Sequence, residues 1–202
     1  MQTNLMHKRL LIYLIIFALS ASLTAGLFPY PMFSSYTNVT DKNMVEIANV
    51  KESELEVESD NEVKVLAVDW EVANAIIECF TPYRLIDIES GISIMIERTG
   101  GKNHADIETI DENNTLLLYE IYNGTPSWDR RPVYLEYREN VYFCASLTGF
   151  PHGESKGENG LGGHVCLHFK NSKTHGSFLK DKTHQKNITY AYKNRNKITE
   201  LL

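Results

Sequence analysis

The chain has 202 residues, 43% of them hydrophobic, with a formal net charge of -6 at pH 7 and a sequence pI near 5.6. That length holds one ordinary domain with attachments, or at most two small domains. The acidic balance excludes nonspecific nucleic-acid binding, which needs a basic face, although residues 170–197 form a local basic stretch.

The chain opens as an export segment. His7, Lys8 and Arg9 supply a positive start, LLIYLIIFAL is an unbroken apolar run, and the small residues of SASLTAG follow. Residues 1–28 are therefore expected to be a signal peptide or membrane anchor, and the remainder extracytoplasmic, either secreted or membrane-anchored. The membrane would be met only through that segment. Residues 29–62 read as an acidic linker. They are turn-rich at first, then carry Glu52, Glu54, Glu56 and Glu58 at alternate positions with little to bury. The globular domain is expected over residues 63–190, with a polar tail at 191–202.

Within the domain, VKVLAVDW reads as a short buried strand. EVANAIIECF, residues 71–80, has helical spacing and is stopped by Pro82. YRLIDIES and ISIMIER form a hairpin through Ser90-Gly91. The Gly100-Gly101 pair marks a turn, and His104-Ala-Asp106 is expected in the loop after it. Asp111 is the expected N-cap of a helix running to about Tyr122. RPVYLEY and VYFCASL form a second hairpin. A glycine-rich loop follows to Gly163, then VCLHF as a short strand, then a helix beginning near Asp181. Two hairpins with further strands and few helices imply a mostly β or α+β domain, sandwich-like and built of hairpins.

Three cysteines in an exported chain leave at least one thiol unpaired within the chain. Cys79 and Cys144 sit in apolar contexts and read as core residues or a disulfide. Cys166 differs, standing between His164 and His168. Five of the seven histidines fall between His152 and His184. Strand side chains alternate faces, so His164, Cys166 and His168 should share one face, with Val165, Leu167 and Phe169 packed on the core. That face suits nucleophilic catalysis, in which an imidazole activates a thiol. It equally suits a Zn²⁺ site drawing on His104, Asp106, His152, His164 and His168. His175 and His184 read equally as structural caps or as ligands.

The stretches GGKNHAD, SWDRRPV, ASLTGFPHG, GGHVCLHF, NSKTHGS and HQ are similar to a family of uncharacterised exported domains of Gram-positive bacteria, over roughly residues 63–188. More distantly, His152-Gly153 and Gly163-His164-Val165-Cys166-Leu167-His168 resemble the motifs of YkuD-type L,D-transpeptidases. That resemblance implies a β-sandwich and a Cys/His-dependent acyl transfer on peptidoglycan stem peptides, without a cofactor. Cys166 would be nucleophile and His152 base, with His164 and nearby backbone N–H groups forming the oxyanion site. Gly153, His168, Arg131 and Trp128 would bind substrate. Val165 stands where that family has glycine, and His168 where it has arginine. A Zn-binding hydrolase and a noncatalytic cell-wall-associated domain are the alternatives. The expected partner is peptidoglycan or another wall polymer.

Overall fold

The structure, a computed structural model, describes residues 62–202. The expected export segment and all of the linker except Glu62 lie outside the described residues. Among those described, no helix is long and apolar enough to cross a membrane.

In chain order the elements are β1 (Lys64–Leu66), α1 (Trp70–Ile76), β2 (Pro82–Asp87), β3 (Ser93–Gly100), β4 (Ala105–Thr109), α2 (Glu112–Ile121), β5 (Arg130–Arg138), β6 (Val141–Thr148), β7 (Val165–His168), α3 (Lys182–Lys193), a 3-10 turn (Arg195–Lys197) and α4 (Ile198–Leu201). The domain is thus mostly β, hairpin-built, with a few short helices. Its sheet runs β1-β6-β5-β2-β3-β4-β7, and β7 also pairs with β6. That last pairing closes six antiparallel strands into a barrel and leaves no free edge there. The second edge of β6 is shared: β1 lies parallel along Val141 to Phe143, and β7 takes Ser146 and Leu147.

Alternation along each strand sends one set of side chains inward. Leu85, Ile94, Ile96, Ile107, Val133, Leu135, Phe143, Leu147, Val165 and Leu167 are all buried in one core, joined by Trp70 of α1 and Leu118 of α2. Each such side chain contributes about 1.5–3 kcal/mol. The opposite faces of β2, β5 and β6 carry Ile86, Tyr134, Tyr142 and Cys144. These form a second core with Ile188 and Ala191 of α3 and Ile198 of α4.

Turn chemistry follows the sequence. Gly91 adopts φ +74° in the β2–β3 turn, where the Asp87 carboxylate accepts hydrogen bonds from the backbone N–H and hydroxyl of Ser90. The Asp111 carboxylate caps α2 through the Asn114 N–H at 2.8 Å.

Four local expectations are corrected. The first helix ends at Ile76, well before Pro82. Ile77 is already extended and the Phe80 N–H bonds to the Arg98 carbonyl, so the chain turns toward β3 early. Ala105 and Asp106 begin strand β4 rather than lying in a loop. Cys79 and Cys144 are both free thiols, the first exposed and the second buried under α3, so they do not pair. Residues 191–202 are not a polar tail: Ala191 and Ile198 are packed into the second core, while most of the side chains around them face water.

Candidate functional site

The site is built on the outside of the barrel wall, where β4, β7 and β6 lie side by side. In register, Asp106 faces Cys166 and Ser146 faces His168. Their neighbours Ala105, Ile107, Val165, Leu167 and Leu147 point into the core. Period-two alternation therefore leaves Asp106, Cys166 and His168 on the outer face, with His164 just ahead of β7.

Two loops fold over this face. The segment between β6 and β7 returns on itself so that His152 and His164 form an antiparallel bridge, exchanging both backbone hydrogen bonds at 3.0 and 2.9 Å. Glycine is required on each strand of that bridge. A Cβ on Gly153, which also adopts φ +69°, would stand 2.5 Å from Cε1 of His164, and one on Gly163 would stand 2.8 Å from the His152 carbonyl oxygen. The loop is anchored by Glu108 of β4, whose carboxylate accepts from the Ser155 hydroxyl, the backbone N–H of Lys156 and Gly157, and the Asn159 amide. Burial alone would raise the Glu108 pKa, but these four bonds outweigh it and hold the group below its ordinary value.

This loop delivers His152 to Cys166. Nε2 of His152 lies 3.4 Å from Sγ of Cys166. Nδ1 lies 3.0 Å from the Phe150 carbonyl oxygen. A carbonyl only accepts, so the ring proton sits on Nδ1 and the Nε2 lone pair faces the thiol. Cys166 itself is only 5% exposed. Burial, with the Asp106 carboxylate adding to it, pushes the thiol up to about 12. The resting nucleophile is consequently a thiol, and its proton lies on the His152 side of the pair. The Thr148 hydroxyl accepts from the Cys166 backbone N–H at 3.3 Å and steadies the strand there.

The second loop, between β7 and α3, brings His175 over the same face. Oδ1 of Asp106 becomes a hub: Nε2 of His175 lies at 3.2 Å, of His104 at 3.5 Å and of His164 at 3.7 Å. That oxygen and His164 Nε2 are both buried without a hydrogen-bond partner. Behind the hub, three imidazoles stack. His168 lies 4.3 Å from His104 on one side and 3.7 Å from His184 on the other, centroid to centroid. His168 Nδ1 donates to the Ser172 hydroxyl, which donates onward to the Phe169 carbonyl. His184 Nδ1 meets the Ser146 hydroxyl at 2.9 Å. Burial lowers the pKa of all three rings, that of His184 to about 3, so the stack is neutral.

Of the residues expected at the site, the structure brings together Cys166, His152, His164, Gly153, His104 and Asp106. Trp128 joins them at the rim: it is half exposed, stacked on Phe150 at 4.7 Å and 5.2 Å from the His152 ring. His168 is corrected. It shares the face but is sealed in the imidazole stack, so it is neither a substrate contact nor a ligand. Arg131 is corrected too, since its guanidinium is committed to Asp87 and Glu89. The expected backbone donors of an oxyanion site are already spent. The His164 N–H bonds to His152 and the Cys166 N–H to Thr148.

Sequence reasoning left His175 undecided and missed Glu108 and Thr148. His175 belonged to the histidine cluster and lay beside a glycine, which was signal enough to include it. A single glutamate in a strand gave no comparable sign. No protein-family model, curated protein or solved structure matches the chain.

Proposed function

We propose that the domain is an extracytoplasmic Cys/His-dependent acyl-transfer enzyme acting on amide bonds, with peptidoglycan stem peptides as the substrate class. The observation that carries the chemistry is the approach of His152 Nε2 to Cys166 Sγ, with the ring oriented by the Phe150 carbonyl. A nucleophile, a base and a group that orients the base are the parts that acyl transfer needs. The substrate class and the extracytoplasmic setting rest on the resemblance of the PHG and GGHVC segments and on the apolar leader.

The mechanism follows from the protonation states. Because the buried thiol is neutral at rest, the Sγ proton moves to His152 Nε2 as sulfur attacks the carbonyl carbon. His164 Nε2, the unpartnered nitrogen beside the pair, supplies the N–H that receives the developing oxyanion. Collapse breaks the C–N bond, the leaving amine takes the proton from His152, and a thioester remains on Cys166. An acceptor amine or water then gives a proton to His152 and attacks the thioester, which restores the thiol. The exposed Trp128–Phe150 stack beside His152 offers a flat apolar wall for the substrate.

The test is turnover of purified muropeptides by the full chain and by Cys166→Ala and His152→Ala. Loss in both variants is the expected result. Turnover that survives Cys166→Ala excludes the thiol as nucleophile.

A further inference from the structure

Acyl transfer by Cys166 and His152 uses neither His104 nor His175, and it leaves the buried Asp106 oxygen unexplained. From the geometry we infer that His104, Asp106, His175 and Cys166 bind one divalent transition-metal ion of the zinc class.

The lone pairs converge. His104 Nδ1 lies 2.6 Å from the Lys173 carbonyl oxygen, which can only accept, so the proton is on Nδ1 and Nε2 carries a lone pair. That Nε2 is 3.0 Å from His175 Nε2. Asp106 Oδ1 completes a triangle, at 3.2 Å from His175 Nε2 and 3.5 Å from His104 Nε2. With Cys166 Sγ, all four donor atoms lie within 4.8 Å of one another. Ligand atoms held at about 2.1 Å from a tetrahedral ion stand about 3.4 Å apart, which is the spacing of this triangle. The contact between His175 Nε2 and His104 Nε2 leaves Asp106 Oδ1 buried without a hydrogen-bond partner, whereas a cation at the centre meets every lone pair.

The surroundings support the same assignment. The Lys173 carbonyl fixes the tautomer of His104 as an outer partner of a ligand histidine does. His168 packs flat against that ring and limits its rotation. The His175 side chain, 47% exposed, leaves an entry path. Two imidazoles, a carboxylate and a thiolate select a zinc-class ion over magnesium or calcium. Binding displaces the Cys166 proton to solvent.

One consequence rests on the activity proposed above. A thiolate tied to the ion is withdrawn from His152, so the metal-loaded chain is the resting form and metal removal releases the nucleophile. Zinc would then act as a reversible brake at the site.

The test titrates Zn²⁺ into the metal-free full chain by calorimetry and records the absorption of the Co²⁺-loaded chain. One ion per chain is expected, with affinity falling at least tenfold in both His175→Ala and Asp106→Asn. His175 is exposed, so its variant keeps the fold. A thiolate-to-cobalt band in the near ultraviolet should be present in the wild type and absent in Cys166→Ser. The site is overturned if the folded wild type binds no stoichiometric ion or shows no such band. It is also overturned if binding survives His175→Ala and Asp106→Asn but is lost in His164→Ala. The two proposals fail separately. A chain that binds the ion but never turns over substrate overturns the activity alone. One that turns over substrate but binds no ion overturns the metal site alone. If both stand, Zn²⁺ should suppress turnover of the wild type and not of His175→Ala.

Discussion

His152 Nε2 reaches to 3.4 Å from Cys166 Sγ across a separation of 14 positions, because the loop between them closes on itself through the His152–His164 bridge. The pair is therefore a product of the loop fold. A change that opens the bridge should separate the two residues without disturbing the barrel.

His152 is expected to act on the chemical step more than on binding. His152→Gln should lower kcat about 10²–10⁴-fold with a small change in KM, the usual range for loss of a general acid–base group. A steady-state comparison on a defined stem peptide measures both. A large rise in KM at constant kcat would assign His152 to substrate binding instead.

Gly153 tests the bridge. Gly153→Ala places a Cβ against the His164 ring and imposes φ +69° on a residue with a side chain, at a cost of about 1 kcal/mol from the backbone alone. The expected result is a folded barrel with turnover reduced at least tenfold. Circular dichroism and turnover read the two effects independently, and wild-type turnover would show that the loop does not need this close approach.

Glu108 holds the same loop from below with four hydrogen bonds to a buried carboxylate. Glu108→Gln turns part of the acceptor into a donor facing other donors, so stability should fall by about 2 kcal/mol. Hydrogen exchange should rise first over residues 154–160, ahead of β4 itself. Uniform loosening of the whole domain would contradict the anchoring role.

The imidazole stack fixes a pH dependence. Burial drops the His184 pKa to about 3 from an ordinary 6.5, and His168 moves in the same direction. Between those values the unfolded chain binds more protons than the folded one, so stability rises with pH through this window. It is fully present above about pH 6.5 and is lost as pH falls toward 3. At pH 5 His184 alone should cost about 2 kcal/mol relative to neutral pH. Denaturant midpoints at pH 7.5 and 5 measure it, and His184→Gln should flatten the change. A wild-type midpoint that does not move would mean that these rings are accessible to protons when folded.

Much of the fold was legible in the sequence, because hairpin signals are local. Ser90-Gly91, the period of ISIMIER and the Asp111 cap each report on a few neighbouring residues. Strand alternation placed Cys166 on an outer face opposite Val165 and Leu167. Barrel closure was not legible, since the pairing of β7 with both β4 and β6 joins segments far apart in the chain. For the same reason His168 read as a site residue: its face was right, but α3, which seals it through His184, could not be placed from sequence. Arg131 misled because its partners Asp87 and Glu89 lie on the neighbouring strand and its turn. His175 gathers with His104 and Asp106 only once the loop after β7 folds back over the sheet.

The most direct measurement is intact-mass analysis of the full chain, freed of metal and incubated with a purified stem peptide, alongside Cys166→Ala. A covalent adduct equal to the acyl fragment, localised to Cys166 and absent from the variant along with turnover, is the expected result. Turnover that persists undiminished in Cys166→Ala would contradict it.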